Sequence, residues 1–181
     1  MSRTAYQAIS RVFAIVLAIA GIGLIVGGTY DHSFVTDQLS QQKITMPSGK
    51  SLTSQDMKDT LEKYAGKPMT TGPQAEAFAN HYIQAHMNAA ANGKTYEEVS
   101  GEYIACSADA AKKNTTECTE LGAARQTLFM GNSLRGMLLN AFGWWLLGTI
   151  AISVGIGALV LAVVLAVLGW FVLKPKQGSA A

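Results

Sequence analysis

A single uncharged stretch near the C-terminal end constrains this chain more than any other feature. Residues 146–172 (LLGTIAISVGIGALVLAVVLAVLGWFV) carry no charge, and the uncharged run extends from Gly136 to Leu173. A helix needs about 20 apolar residues to cross the hydrocarbon core of a bilayer, which is about 30 Å thick. A chain of 181 residues offers no core large enough to bury such a helix on all sides. The stretch therefore predicts a transmembrane helix.

Tryptophans flank this stretch at both ends. Trp144 and Trp145 precede it, and Trp170 lies close to its end. Amphipathic aromatic rings favour the two headgroup zones of a bilayer. We therefore predict a span over residues 144–173, with Trp144, Trp145 and Trp170 as its interface belt.

A second apolar run lies near the N-terminus. Residues 12–28 (VFAIVLAIAGIGLIVGG) are uncharged, and only Arg3 and Arg11 carry charge before them. A basic start followed by an apolar stretch is also typical of a cleaved signal peptide. The run is longer than the apolar core of an ordinary signal, and residues 29–32 contain no A-x-A-like cleavage site. We interpret it as a retained transmembrane anchor over residues 12–29, with the signal peptide as the alternative.

The charge distribution predicts the orientation of both spans. The two tails carry Arg3, Arg11, Lys174 and Lys176, and all 12 acidic residues lie between the spans. Ten of the 14 basic residues lie there too, so the middle segment has a net charge of 10 − 12 = −2. Basic flanks stay on the cytoplasmic side. Both termini are therefore predicted to be cytoplasmic and the middle segment extracytoplasmic, in a plasma membrane.

The sequence contains no basic run interleaved with aromatic residues, so nucleic-acid binding is not predicted.

The middle segment is predicted to be helical. Three helix starts are indicated by capping-box spacing or by a proline in the first turn: Thr53 with Asp56, Gly72 as N-cap followed by Pro73, and Thr95 with Glu98. No alternation of apolar and polar residues is long enough to predict a strand.

The predicted fold class is thus all-α, with two transmembrane helices flanking a small helical extracytoplasmic domain. Its parts are a cytoplasmic tail (1–11), a first transmembrane helix (12–29), an extracytoplasmic helical domain (30–143), a second transmembrane helix (144–173) and a second cytoplasmic tail (174–181).

Cys106 and Cys118 are the only cysteines of the chain. Both fall in the segment predicted to be extracytoplasmic, where an oxidising compartment permits a disulfide. A pair of metal-binding thiolates is the alternative, but eleven intervening residues with no nearby histidine match no zinc-site spacing. We predict a disulfide between them.

The two spans carry motifs of small residues. Gly23 and Gly27 form a G-x-x-x-G motif in the first span. The second span pairs small residues in the same spacing, Ala151 with Gly155 and Ser153 with Gly157. Small residues let helix backbones approach closely in lipid, where packing drives association. We predict helix packing at these positions, either between the two spans or against a helix of a partner protein.

No set of residues predicts catalysis, a metal or a cofactor. His81 and His86 are five residues apart on a predicted helix, whereas paired metal ligands on a helix are typically four apart. Neither apolar run contains an ionisable side chain, although transport pathways normally need one. The sequence therefore predicts neither an enzyme nor a transporter that acts alone.

Part of the chain resembles a family of small actinobacterial membrane proteins. The resemblance rests on residues 65–68 (AGKP), 72–73 (GP), the alanine-rich helix with His81, residues 93–96 (GKTY), and Arg125 with residues 133–135 (SLR). Members are often labelled aromatic ring-opening dioxygenases, an activity not expected here because no iron ligands are clustered. Cys106 and Cys118 depart from the family pattern. The resemblance implies an actinobacterial envelope, where small two-span proteins occur as accessory subunits, for example of the cytochrome bc–cytochrome oxidase supercomplex.

The leading hypothesis is therefore a non-catalytic accessory or scaffolding subunit. Its partners would be the lipid bilayer and integral membrane proteins of a larger complex. A stand-alone envelope sensor or ligand-binding membrane protein is the alternative; short tails without a signalling domain speak against it.

Overall fold

A computed structural model describes residues 3–173 of the chain, so Lys174, Lys176 and the rest of the predicted C-terminal tail lie outside the described residues. The helices are α1 (Arg3–Gln41), α2 (Gln55–Leu61), α3 (Gly72–Ala77), α4 (Gln84–Ala90), α5 (Tyr96–Ala108) and α6 (Thr116–Val167). Two π-helical turns, Phe78–Ile83 and Leu168–Val172, join α3 to α4 and extend α6. Within residues 3–173 there is no strand, only an isolated bridge between Thr45 and Pro68, which confirms the all-α prediction.

Two helices are long and apolar enough to span a membrane. They are α1, with 39 residues, and α6 with its π-helical extension, with 57 residues. In each, only 11% of the most apolar window is buried inside the protein. The core helix of a soluble protein would have its apolar side chains covered. Here most of these side chains face outward.

The chain divides into two compact units. The first combines Met1–Phe34 with Trp145–Ala181, and the second is Val35–Trp144. The helices α1 and α6 each contribute residues to both units. The membrane boundaries predicted at residues 29 and 144 stay predictions.

The second unit has a core rich in methionine. Its most buried large side chains include Met46, Met57, Leu61 and Met69. Unbranched methionine side chains fill irregular gaps, which suits a core built from short helices and loops. The loops themselves are tied by backbone hydrogen bonds, such as the one from the Met46 N–H to the Lys67 carbonyl at 2.9 Å.

The start of α2 differs from its predicted capping box. Ser54, not Thr53, is the N-cap, and its hydroxyl accepts a hydrogen bond from the Met57 N–H at 3.1 Å. Thr53 instead directs its hydroxyl to the sulfur of Met57, while the Asp56 carboxylate binds His81. The Thr53–Asp56 prediction was wrong because adjacent Thr53 and Ser54 both suit a cap, and burial of Met57 selects the second.

The start of α3 is also shifted by one residue. Thr71 is the N-cap, and Gly72 and Pro73 occupy the first turn. The Gln74 side-chain oxygen accepts hydrogen bonds from the Thr70 and Thr71 N–H groups at 2.8 and 3.0 Å. Gly72 as N-cap was therefore wrong, whereas Pro73 in the first turn is confirmed.

The start of α5 agrees with the sequence. The Thr95 hydroxyl accepts from the Glu98 N–H at 3.3 Å, and the Glu98 carboxylate accepts from the Thr95 N–H at 2.7 Å. This reciprocal pair confirms the predicted capping box.

The π-helical turn between α3 and α4 is held by an arginine of α6. In this turn the Gln84 N–H reaches back five residues to the Ala79 carbonyl. The same carbonyl accepts a hydrogen bond from Arg135 Nε at 3.1 Å, and Arg135 also donates to the Asn80 side chain at 3.2 Å. Arg135 thus ties the irregular turn to α6.

Candidate functional site

In the first unit, α1 and α6 contact each other through pairs of glycines. A Cβ atom built on Gly21 would lie 2.8 Å from the Gly155 carbonyl oxygen, and one on Gly155 would lie 2.8 Å from the Gly21 oxygen. Gly28 and Gly148 form a second reciprocal pair, with a Cβ on Gly148 2.8 Å from the Gly28 oxygen. Since Gly21 faces Gly155 and Gly28 faces Gly148, the helices run antiparallel. A methyl group at any of the four would collide with backbone.

The contact repeats every seven residues on both helices. Its buried positions, which we call the seam, are Gln7, Ala14, Gly21 and Gly28 on α1, and Gly148, Gly155, Ala162 and Gly169 on α6 with its extension. A strict seven-residue repeat keeps one seam of each helix on its partner when the two wind left-handedly around each other. Small residues along the seam bring the backbones close enough for dispersion and Cα–H···O contacts.

This arrangement bears on one of the two alternatives for the predicted packing residues, contact between the two spans; contact with a partner helix stays a prediction. A Cβ on Gly23, Gly27 or Gly157 would meet no atom within 4 Å, so these three do not join α1 to α6. Gly155 alone of the predicted small residues lies directly in the seam. The reason is geometric, because the contact repeats at positions seven apart on each helix, whereas G-x-x-x-G selects positions four apart.

The other two predicted packing residues are peripheral to the seam. Ser153 is exposed, and its hydroxyl donates to the Thr149 carbonyl one turn earlier at 2.8 Å. Ala151 is half-buried. Neither therefore fixes the glycine pairing.

Two arginines bind the C-terminal end of the apolar helix. Arg11 Nε donates to the Gly169 carbonyl at 3.0 Å, and its guanidinium lies 5.1 Å from the centre of the Trp170 ring. Arg3 donates to the Val172 carbonyl at 3.3 Å. The last carbonyls of a helix lack partners within the helix and carry partial negative charge, so cations stabilise them.

The opposite end of the pair is held by a histidine. The rings of His32 and Trp145 are parallel within 7°, with centroids 4.0 Å apart. His32 Nε2 lies 3.0 Å from both the Trp145 carbonyl and the Thr149 hydroxyl. Of the predicted belt, Trp145 and Trp170 thus have partners in the first unit, and Trp144 is half-exposed in the second.

In the second unit, Cys106 and Cys118 lie at disulfide distance, with Cα atoms 5.8 Å apart. They join the last turn of α5 to the first turn of α6. Cys118 is buried, which protects the pair on one side. The two cysteines that the sequence paired are therefore adjacent in space.

The histidines of the second unit are separately engaged. His81 Nδ1 lies 2.7 Å from an Asp56 carboxylate oxygen, and the His86 ring stands edge-on to Tyr82. Over residues 3–173, no group of three or more His, Cys, Asp or Glu side chains is placed to hold a metal ion.

A pocket of about 440 Å³ opens between α5 and α6 in the second unit. Its lining residues are Tyr96, Tyr103, Gly122, Arg125, Gln126 and Phe129. Arg125 Nε donates to the buried Ser100 hydroxyl at 3.0 Å. The guanidinium carbon lies 5.4 Å from the Tyr103 ring centre and 5.9 Å from that of Tyr96. The pocket is therefore aromatic with one positive charge.

A second, apolar groove of about 320 Å³ lies between α4 and α6. It includes Phe78, Met87, Met130 and Leu134. Gly131 shapes it, because a Cβ there would lie 2.5 Å from the Met87 sulfur. Met130 and Leu134 are exposed along its edge.

Sequence reasoning missed the seam glycines other than Gly155, as well as His32 and the Arg125 pocket. A seven-residue repeat of small residues, Ala14, Gly21 and Gly28, was present in the sequence and would have identified the seam. The pocket had no such signal, since its walls come from two helices.

The chain matches no protein-family model, no curated protein and no solved structure.

Proposed function

We propose that this chain is a two-span plasma-membrane protein that acts as a non-catalytic accessory or scaffolding subunit of a larger membrane complex. Both termini are cytoplasmic, and the helical domain between the spans is extracytoplasmic. An actinobacterial respiratory supercomplex of cytochrome bc and cytochrome oxidase is one such assembly. Integral membrane proteins and the bilayer are its partners.

One observation carries this proposal. The two spans pack against each other through the seam, and a second face of small residues on α1 stays exposed. Gly23 and Gly27 are exposed, and space for a larger side chain is free at both. Large apolar side chains on the same helix, such as Val16 and Val26, are exposed as well. Lipid covers such side chains, while a groove above two glycines admits the backbone of a further helix.

The extracytoplasmic domain offers a further surface. Met130, Leu134 and Met137 are exposed on α6, next to the apolar groove. Exposed apolar patches of this kind are typical of protein contacts. In the proposed subunit, this surface covers part of the external face of the partner.

The test is purification of the tagged chain in mild detergent, with mass spectrometry of the proteins that co-purify. A Gly23→Ile/Gly27→Ile variant fills the bare groove without touching α6, so the helix pair and insertion should survive while partner recovery falls at least several-fold. An Ile22→Leu/Val26→Ile variant changes exposed side chains of the same helix without filling a groove, and should keep the partner.

Recovery of a lone monomer at every detergent strength would reject the subunit proposal and favour the stand-alone envelope protein. Equal partner recovery with both double variants would show that the Gly23–Gly27 face meets only lipid.

A further inference from the structure

We propose that the pocket around Arg125 binds a small organic anion, one that carries a carboxylate on a flat apolar body. This inference goes beyond a subunit role, because it assigns a ligand to the second unit by itself. It rests on the state of the arginine and on the shape of the pocket walls.

The Arg125 guanidinium is held in place but not neutralised. Its Nε donates a hydrogen bond to the hydroxyl of Ser100, which is only 8% exposed, and this buried contact fixes the orientation of the arginine side chain. Among residues 3–173, no carboxylate lies within ion-pair distance of it. The terminal nitrogens donate to no other described residue. A planar guanidinium in this state presents two parallel N–H donors that match the two oxygens of a carboxylate.

The walls of the pocket favour a flat apolar body behind that carboxylate. Tyr96 and Tyr103 flank the guanidinium, and Phe129, 60% exposed, lies 6.1 Å from the Tyr96 ring. Gly122 makes this possible, because a Cβ there would lie 2.9 Å from the Tyr103 ring. The volume of about 440 Å³ falls in the range of small-ligand pockets.

A purely structural role is the competing explanation. In that case the two tyrosine contacts and the Ser100 hydrogen bond only join α5 to α6, and the pocket is an empty surface feature. The two explanations differ in whether an anion of the right shape is bound.

The experiment is isothermal titration calorimetry of the full chain in detergent with benzoate, and with benzamide as the neutral molecule of the same shape. We expect saturable binding of benzoate and at least tenfold weaker binding of benzamide, since a charge-assisted pair is lost. Arg125→Gln should weaken benzoate binding at least tenfold. Lys58→Gln removes one exposed positive charge elsewhere and should leave the affinity unchanged.

Phe129→Ala provides a variant that keeps the fold, because most of this side chain is already exposed. It should weaken benzoate binding several-fold through loss of one wall, with an unchanged melting temperature. Equal affinities for benzoate and benzamide, no saturable binding of benzoate, or unchanged benzoate binding in Arg125→Gln would each overturn the proposal. None of these outcomes depends on a membrane partner, so the subunit proposal is tested separately.

Discussion

The imidazole of His32 lies parallel to the indole of Trp145, with ring centroids 4.0 Å apart and Nε2 within hydrogen-bond distance of the Trp145 carbonyl. One side chain of α1 thereby contacts both the ring and the backbone of the same residue of α6. The absence of a side chain at Gly148 makes room for the His32 ring, since a Cβ at Gly148 would lie 2.9 Å from that ring. His32 thus fixes the register of the helix pair at one end.

Replacing His32 by alanine should therefore destabilise the helix pair. Loss of the stacked ring and of the hydrogen bond at Nε2 is expected to cost about 1 to 2 kcal/mol. Unfolding in mixed detergent micelles, followed by Trp fluorescence, measures this free energy. His86→Ala removes a histidine of the second unit and serves as the control. Equal unfolding curves for wild type and His32→Ala would show that the stack contributes nothing.

The glycine seam gives a prediction about the helix pair itself. Gly21→Ile places its Cβ against the Gly155 carbonyl, and such overpacking typically costs about 1 to 3 kcal/mol. A disulfide-trapping pair of cysteines introduced at Ala14 and Ala162, in a background without Cys106 and Cys118, would report the contact as cross-linking yield.

Gly23→Ile is the matched control, because the same side chain meets open space two residues away. Cross-linking should fall in Gly21→Ile and stay at the wild-type level in Gly23→Ile. The reverse pattern would place the seam on the G-x-x-x-G face.

The helix caps and the cysteine pair show how far the structure could be predicted from the sequence. The Thr95–Glu98 cap was predictable because both partners lie within one helical turn. Thr53 and Ser54 were both suitable caps by type, and only burial of Met57 in the tertiary core decides between them. The cysteine pairing was predictable because the chain has no other cysteine to choose.

The candidate sites were harder to predict because each depends on which faces meet. Gly23 and Gly21 are equally small, and the antiparallel partner, not the residue type, selects Gly21. Arg125 is an ordinary helix-surface residue by sequence. It becomes the centre of a pocket only because α5 brings two tyrosines beside it.

The disulfide should stabilise the second unit. In the chain-entropy model, closing a loop of this length contributes about 3 kcal/mol. Cys106→Ser/Cys118→Ser should therefore lower the melting temperature of the purified protein while membrane insertion is kept. Peptide mass spectrometry without reductant should detect Cys106 linked to Cys118. Two freely alkylated thiols in that experiment would contradict the prediction.

The proposed orientation is tested by labelling with a membrane-impermeant thiol reagent in intact cells. Single cysteines replace Lys50 or Gln177 in the background without Cys106 and Cys118. We expect labelling at position 50, in the proposed extracytoplasmic domain, and none at position 177. Permeabilised cells are the control and should be labelled at both. Labelling at 177 in intact cells would reverse the assignment of the C-terminal side.

The cap of α5 predicts a local dependence on pH. The Thr95 backbone N–H, and then its hydroxyl, hydrogen-bond to the Glu98 carboxylate and lower the pKa of Glu98 below its ordinary value of 4.5. A carboxyl whose pKa is lowered on folding stabilises the fold above its unfolded pKa, and this contribution is lost as pH falls through the folded pKa. The Thr95 amide proton shift, followed by NMR, should therefore titrate with a midpoint below 4.5. Glu98→Gln keeps an accepting oxygen and should abolish the titration, while Glu97→Gln should keep it; a wild-type midpoint at 4.5 or above would contradict the cap.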